Sequence, residues 1–324
     1  MKKAIFVLAL TLGVLFATFG SQNRALAAPP NSTPVWRAQL RLAIANVSDA
    51  GTDDDVQIQL NVKNSTWLDY ARNDFERNKT YTYDLSLTKV TKLGEITKLR
   101  IRKTGTDAIC VRSITLLING KTIYSKTFGN AQSTCLWLDN GDGHPNSYSV
   151  SGATLRAHAS WKGFVQPNVP TTLTRSELES RIEGAVGDRI QSNDLMWGDE
   201  SYNLFGRGVE VTKKTNESVH VDLDLAYDLP GPYNPEVDVD FDLAFSCSSG
   251  KVTATAENYD AHLDSIIYDY LKNLLPVWGP KLLDMLTKQV LKGMVDAISI
   301  SGQFGGSCPV ISVTGDGNVV FSKP

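Results

Sequence analysis

Two stretches in the second half of the chain alternate strictly between apolar and polar residues. Val219, Val221, Leu223, Leu225, Tyr227 and Leu229 interleave with His220, Asp222, Asp224, Ala226 and Asp228. Val237, Val239, Phe241, Leu243 and Phe245 interleave with Asp238, Asp240, Asp242, Ala244 and Ser246. A period of two puts one face of a strand in a core and the other in water. The Pro/Gly/Asn-rich segment 230–235 joins the two stretches, which predicts an antiparallel pair, and 251–256 follows the turn at Ser248-Ser249-Gly250 as a third strand. The facing aspartates repel one another; they read either as a solvated face or as a gathering point for divalent cations.

The periodicity then changes. Leu263, Ile266, Ile267, Tyr270, Leu271, Leu274 and Leu275 recur at helical spacing, and after a break at 276–280 so do Leu282, Leu283, Leu286, Val290, Met294, Val295 and Ile298. Thr174 and Glu177 have the spacing of a capping box ahead of a further helix ending near Ile190. The C-terminal region, 148–324, is therefore expected to be α+β, an antiparallel sheet packed on long amphipathic helices. Residues 148–160 alternate weakly and are expected to form the first strand of this region.

The first half reads as all-β. Short alternating runs at 38–44, 56–62, 80–87, 95–102, 113–118 and 121–128 are separated by turn residues, and Asn119-Gly120 between the last two is a hairpin signal. Many short strands without a long helix imply a sandwich or barrel over 34–140. The composition of 141–147 is that of an exposed linker, and this marks the domain boundary.

Lys2 and Lys3, the apolar run from Ala4 to Phe19 and the Ala25-Leu26-Ala27-Ala28 stretch make a secretory signal peptide over 1–28. The run is shorter than the roughly 20 apolar residues that cross a bilayer, so a retained anchor is the lesser alternative. A secreted, periplasmic or cell-surface location follows. Removing this segment takes the formal net charge from −3 to −6, because it holds Lys2, Lys3 and Arg24 and no acid. Such a balance excludes nucleic acid as the expected partner. Four cysteines are an even number for an exported chain. Three connectivities are open; Cys110–Cys135 and Cys247–Cys308 are favoured because each stays within one expected domain.

Several motifs of the first half then carry a resemblance. These are Asp49-Ala50-Gly51-Thr52-Asp53 leading into an alternating strand, Asn73-Asp74-Phe75-Glu76-Arg77-Asn78-Lys79-Thr80, Leu93-Gly94-Glu95-Ile96-Thr97-Lys98-Leu99-Arg100-Ile101, and Cys135-Leu136-Trp137-Leu138. In this order they resemble the PLAT (lipoxygenase-homology, LH2) domain. Asn78 stands where the family commonly has glycine, and the tryptophan usual before the sixth strand is replaced near Ile109. The resemblance implies a β-sandwich that docks on lipid surfaces, with the acidic loop near the one carrying Asn73 and Asp74, and calcium bound there in some members. Calcium takes several carboxylate and carbonyl oxygens. Asp53, Asp55 and Asp74 are the expected side-chain ligands, with Gly51 and Thr52 giving backbone or hydroxyl oxygen; a solvated acidic turn is the alternative. Trp67, Leu68 and Tyr70, in what reads as an exposed loop, are the expected membrane contacts; covering the edge of the core is the other reading of Trp67.

The second region is similar in pattern alone to tubular lipid-binding folds, and its family is not identified. No G-x-S-x-G, H-E-x-x-H or phosphate-binding loop occurs, and His144, His158, His220 and His262 show no ligand spacing. Three classes of function stand: a secreted non-catalytic protein binding lipid, a membrane surface or a membrane-associated protein; a secreted hydrolase acting on lipid; and a structural surface protein recognising protein.

Overall fold

The computed structural model describes residues 29, 31–63, 65–87, 89–141, 143–168, 170–190, 195–198, 208–227, 236–263 and 307–322. The expected leader at 1–28 lies outside them. Strands β1 (Ala38–Ile44), β2 (Val56–Gln59), β3 (Ser65–Trp67), β4 (Thr80–Asp84), β5 (Lys98–Lys103), β6 (Ile109–Ile118), β7 (Lys121–Thr127), β8 (Leu136–Leu138) and β9 (Ser147–Ser151) form two antiparallel sheets. One runs β4-β1-β6-β7 with β8 added beside β6; the other runs β3-β2-β5-β9.

Alternation decides which side chains lie between the sheets. In β1, Leu40 and Leu42 are buried while Arg41 is exposed, and in β5 Leu99 and Ile101 are buried against them. Each such side chain removed from water contributes about 2 kcal/mol. The turns are equally local in origin. Asn119 and Gly120 sit at φ 51° and 74° and close a two-residue hairpin between Ile118 and Lys121. Both residues tolerate positive φ, as that tight turn requires. Asn78 stands at φ 62°; asparagine enters the left-handed region more readily than other non-glycine residues, so its place in the motif is kept without glycine. The Cys110–Cys135 bridge fastens β6 to the segment entering β8.

The expected boundary at 141–147 falls inside this sandwich. Strand β9 pairs with β5 over Lys98–Ser151 to Arg102–Ser147, and Leu155, Trp161 and Phe164, beyond it, belong to the first core. Residues 148–160 are thus not the first strand of the second region. They complete the four-stranded sheet and continue into the short helices α1 (Gly152–Ala157) and α2 (Ala159–Lys162).

The second core gathers on another antiparallel sheet. Its elements are β10 (Thr172–Leu173), α3 (Arg175–Ile190), β11 (Leu195–Trp197), β12 (Val209–Lys213), β13 (Ser218–Tyr227), β14 (Glu236–Ser248), β15 (Lys251–Leu263), β16 (Val310–Val313) and β17 (Val319–Ser322). Strands β11-β13-β14-β15 are in order with β12 also on β13, and β10-β17-β16 form a small separate sheet. Strands β13 and β14 pair as their alternation predicts, and the Ser249-Gly250 turn follows. Strand β15 continues to Leu263, where a helix is expected to start, because the pairing with β14 extends to Val237. The expected helices over 266–298 lie outside the described residues. Helix α3 is the one described helix on this sheet, opened by the reciprocal Thr174–Glu177 bonds, each 3.2 Å. Its Leu178, Ile182, Val186 and Ile190 are buried with Val221, Phe241 and Leu243. The Cys247–Cys308 bridge ties β14 to the segment before β16.

Helix α3 also rests on the sandwich. A Cβ at Gly184 would stand 2.3 Å from the Asp84 carbonyl oxygen, and one at Gly187 2.0 Å from that of Asp69. The two glycines, one turn apart, let the helix backbone touch the edge formed by β3 and β4.

Candidate functional site

The acidic loop at 49–55 is held from both sides. Cys110 N donates to Ala50 O at 3.0 Å and Thr104 N to Asp55 O at 3.0 Å. A Cβ on Gly51 would stand 3.2 Å from Phe75 O, so this loop and the turn at 73–78 touch, as the resemblance implies. Within the loop the oxygens are largely committed. Asp54 Oδ2 accepts from Lys103 Nζ at 2.6 Å and from Asp107 N at 2.7 Å. Thr52 Oγ1 accepts from Asp54 N at 3.1 Å and donates to Asp107 O at 3.0 Å. The Lys103 ammonium donates also to Thr104 O at 2.6 Å, and its side chain is 0% exposed.

The five expected calcium ligands are therefore divided. Asp53 is exposed, Asp55 is half-buried, the Thr52 hydroxyl is occupied, and Gly51 packs on backbone. Asp74 is turned inward, a correction to its expected place beside the others. Its Oδ1 accepts from Arg72 Nε at 2.8 Å and Tyr83 Oη at 3.0 Å, and its Oδ2 accepts from Tyr70 N at 3.0 Å. Burial pushes the Asp74 pKa up against the pull of Arg72 and these donors. Among the described residues no three His, Cys, Asp or Glu side chains converge as metal ligands. Calcium takes roughly six to eight oxygens, and this donor set does not fit it; the positive charge at the loop is the Lys103 ammonium.

Of the expected membrane contacts, Leu68 and Tyr70 are corrected as well. Each is 2% exposed: both side chains belong to the sandwich core, and α3 lies against the Tyr70 hydroxyl. The Tyr70 hydroxyl donates to Ser180 O at 3.0 Å and accepts from Asp84 N at 2.6 Å. Burial, then the Asp84 charge, pushes its pKa well up. The Arg72 guanidinium lies 4.7, 5.2 and 4.9 Å from the ring centres of Tyr70, Tyr81 and Tyr83. Asp84 in turn accepts from Arg37 Nε at 2.7 Å and Ser180 Oγ at 2.8 Å, while Arg37 also pairs with Glu177. These groups seal α3 to the sandwich. Buried beside them, Arg181 is drawn down to about 10 by desolvation.

Trp67 differs. It is half-buried at the edge of the four-stranded sheet, on the face turned away from the core. On that face Gln57 stands opposite both Trp67 and Arg102, and Arg102 opposite Ser147. In the next row Gln59 stands opposite Arg100, and Arg100 opposite Ser149; Lys98 faces Ser151. Strands β2, β3, β5 and β9 contain no aspartate or glutamate. Lys98 Nζ donates to Gln59 Oε1 at 2.8 Å and Arg100 Nη2 to Ser147 Oγ at 3.2 Å. The period-two repeats Lys98-x-Arg100-x-Arg102 and Ser147-x-Ser149-x-Ser151 are visible in the chain. Their adjacency emerges only when 147–151 is assigned to the first sheet.

Residues 38–133 match the family model of the PLAT/LH2 domain. No curated protein matches the chain. Among solved structures the fold is similar to that of the alpha toxin of Clostridium absonum, at 24% identity over 40% of this chain and 34% of the toxin chain, TM-score 0.33. It is similar also to the Clostridium perfringens alpha-toxin of an avian strain, at 21% identity over 38% of this chain and 33% of that one, TM-score 0.31. Coral 8R-lipoxygenase, described as calcium-activated via a C2-like domain, is 12% identical over 57% of this chain and 23% of its own, TM-score 0.25. The chain spans about a third or less of these proteins, 34%, 33% and 23% of their lengths.

Proposed function

With the PLAT/LH2 match over residues 38–133 as the premise, we propose that this is a secreted, non-catalytic binding protein whose sandwich attaches it to a lipid or membrane surface. The observation that supports this most is the placement of Trp67 on the outward face of a sheet whose strands hold no carboxylate. An indole combines a large apolar body with a polar N–H, which suits a boundary between water and acyl chains. The two disulfides suit an oxidising compartment such as the cell exterior or periplasm. Calcium is assigned no step, because Lys103 neutralises Asp54 and Asp74 is held internally.

Co-sedimentation of the mature protein with vesicles tests the reading. Pelleting is expected, unchanged by a calcium chelator and reduced severalfold in Trp67→Ala. Absence of pelleting with every vesicle composition would overturn it and favour the protein-recognition alternative. Pelleting abolished by the chelator would restore a calcium-held loop.

A further inference from the structure

The outward face of the β3-β2-β5-β9 sheet carries charge of one sign. Lys98, Arg100 and Arg102 project from it at alternate positions of β5, Arg102 exposed and the other two half-buried. Beside them on β9 stand Ser151, Ser149 and Ser147, each in direct register with one cation. Alternate residues of a strand lie about 6.8 Å apart and neighbouring strands about 4.8 Å apart, so the donors form a grid rather than a point. A chain of formal net charge −3 thus presents, on one sheet, cations and hydroxyls with no aspartate or glutamate in its four strands. Asp55, which enters β2 with the same parity as Gln57, bounds the grid at the end nearest the acidic loop.

We propose that this face recognises the phosphate-bearing headgroups of an anionic membrane, with Trp67 at its rim entering the interface. The proposal rests on the docking reading given above and names the lipid class it selects. Ammonium and guanidinium groups pair with phosphate oxygens, the guanidinium in two-pronged fashion, and serine hydroxyls supply further donors. Spread along the two adjacent strands β5 and β9, these groups address many anions held in a plane, which a bilayer supplies and a single free phosphate does not. The local sign of charge, not the net charge of the chain, decides the approach at this distance.

The test uses the mature full-length protein and vesicles of phosphatidylcholine alone or mixed equally with phosphatidylserine. A triple variant, Lys98→Gln, Arg100→Gln and Arg102→Gln, removes the stripe. A second triple variant, Arg41→Gln, Lys121→Gln and Lys126→Gln, removes the same charge from exposed positions of the other sheet. Each basic residue near an anionic surface contributes on the order of fivefold in partitioning. Binding to mixed vesicles is therefore expected to fall on the order of a hundredfold in the first triple variant and to remain nearly intact in the second, with unchanged circular dichroism in both. Inorganic phosphate is expected not to displace the protein. Equal pelleting with neutral and mixed vesicles would overturn the stripe while leaving docking in place. Equal loss in the two triple variants would also overturn it, since net charge alone would then suffice. No pelleting with any vesicle, with retention on an immobilised sulfated polysaccharide, would overturn both the docking reading and the stripe and identify a polyanionic chain as the partner.

Discussion

The parity of strand β5 sends Lys98, Arg100 and Arg102 outward and Leu99, Ile101 and Lys103 inward. Lys103 therefore carries an ammonium into the end of the core, where an uncompensated charge is costly. Asp54, 30% exposed, compensates it together with the Thr104 carbonyl. Removing one member of a buried pair leaves the other without its partner. Lys103→Met is expected to lower stability by about 2 kcal/mol, reduced from the fully buried case because Asp54 still meets water and the Asp107 amide. Urea unfolding measures it, and Lys103→Met combined with Asp54→Asn should recover part of the loss. A double variant no more stable than the single one would refute the charge-pairing account. The sequence marks residues 53 and 55 as conspicuous carboxylates; the pairing of 54 with 103 depends on a parity that only the strand boundary reveals.

Helix α3 has two contact surfaces. Leu178, Ile182 and Val186 meet the second core, whereas Gly184 and Gly187 meet the β3–β4 edge. Glycine inside a helix ordinarily costs about 1 kcal/mol relative to alanine, so a gain would be expected from Gly187→Ala in an isolated helix. Here the added Cβ would lie 2.0 Å from Asp69 O, and overpacking of this kind costs roughly 1–3 kcal/mol. Thermal unfolding of Gly187→Ala is expected to show a lowered midpoint, and a raised one would mean that the helix does not press on the sandwich. The helix and its cap were legible from the Thr174–Glu177 spacing. Its second surface was not, because two small residues carry no hydrophobic signal. Residues 68–70 likewise read as a loop open to solvent: Leu68 and Tyr70 look like exposed apolar contacts until the chain is seen to turn Leu68 into the sandwich core and Tyr70 under α3. Six strands of the sandwich, β1, β2, β4, β5, β6 and β7, were legible, since each alternates over its own length; β3 lay in a segment read as an exposed loop, and β8 was marked only by the resemblance. Strand β9 was expected as a strand but in the second region, because Ser-Tyr-Ser-Val-Ser offers one fully buried residue, Val150, and only its register with Leu99 assigns it to the first sheet.

Across the whole molecule the two cores are fastened by the Arg37–Asp84–Ser180 contacts and by Trp197 Nε1 donating to Asp69 O at 3.4 Å. Beyond that seam, the outer face of the second sheet is acidic: Asp222 faces Asp240 and Asp224 faces Asp238 across β13 and β14. Burial, then the charges of Asp238 and Asp240, raise the Asp222 pKa. Carboxylates fixed at this separation gather mobile counterions, and the repulsion between them weakens as ionic strength rises. Attraction between a cationic sheet and an anionic bilayer weakens under the same conditions. A single sodium chloride titration should therefore move two observables in opposite directions, raising the urea midpoint while reducing vesicle binding. If both fell together, the facing aspartates would not be repelling one another. On the docking proposal, a protein built this way would hold its fold most firmly in the brines where it would bind an anionic membrane least.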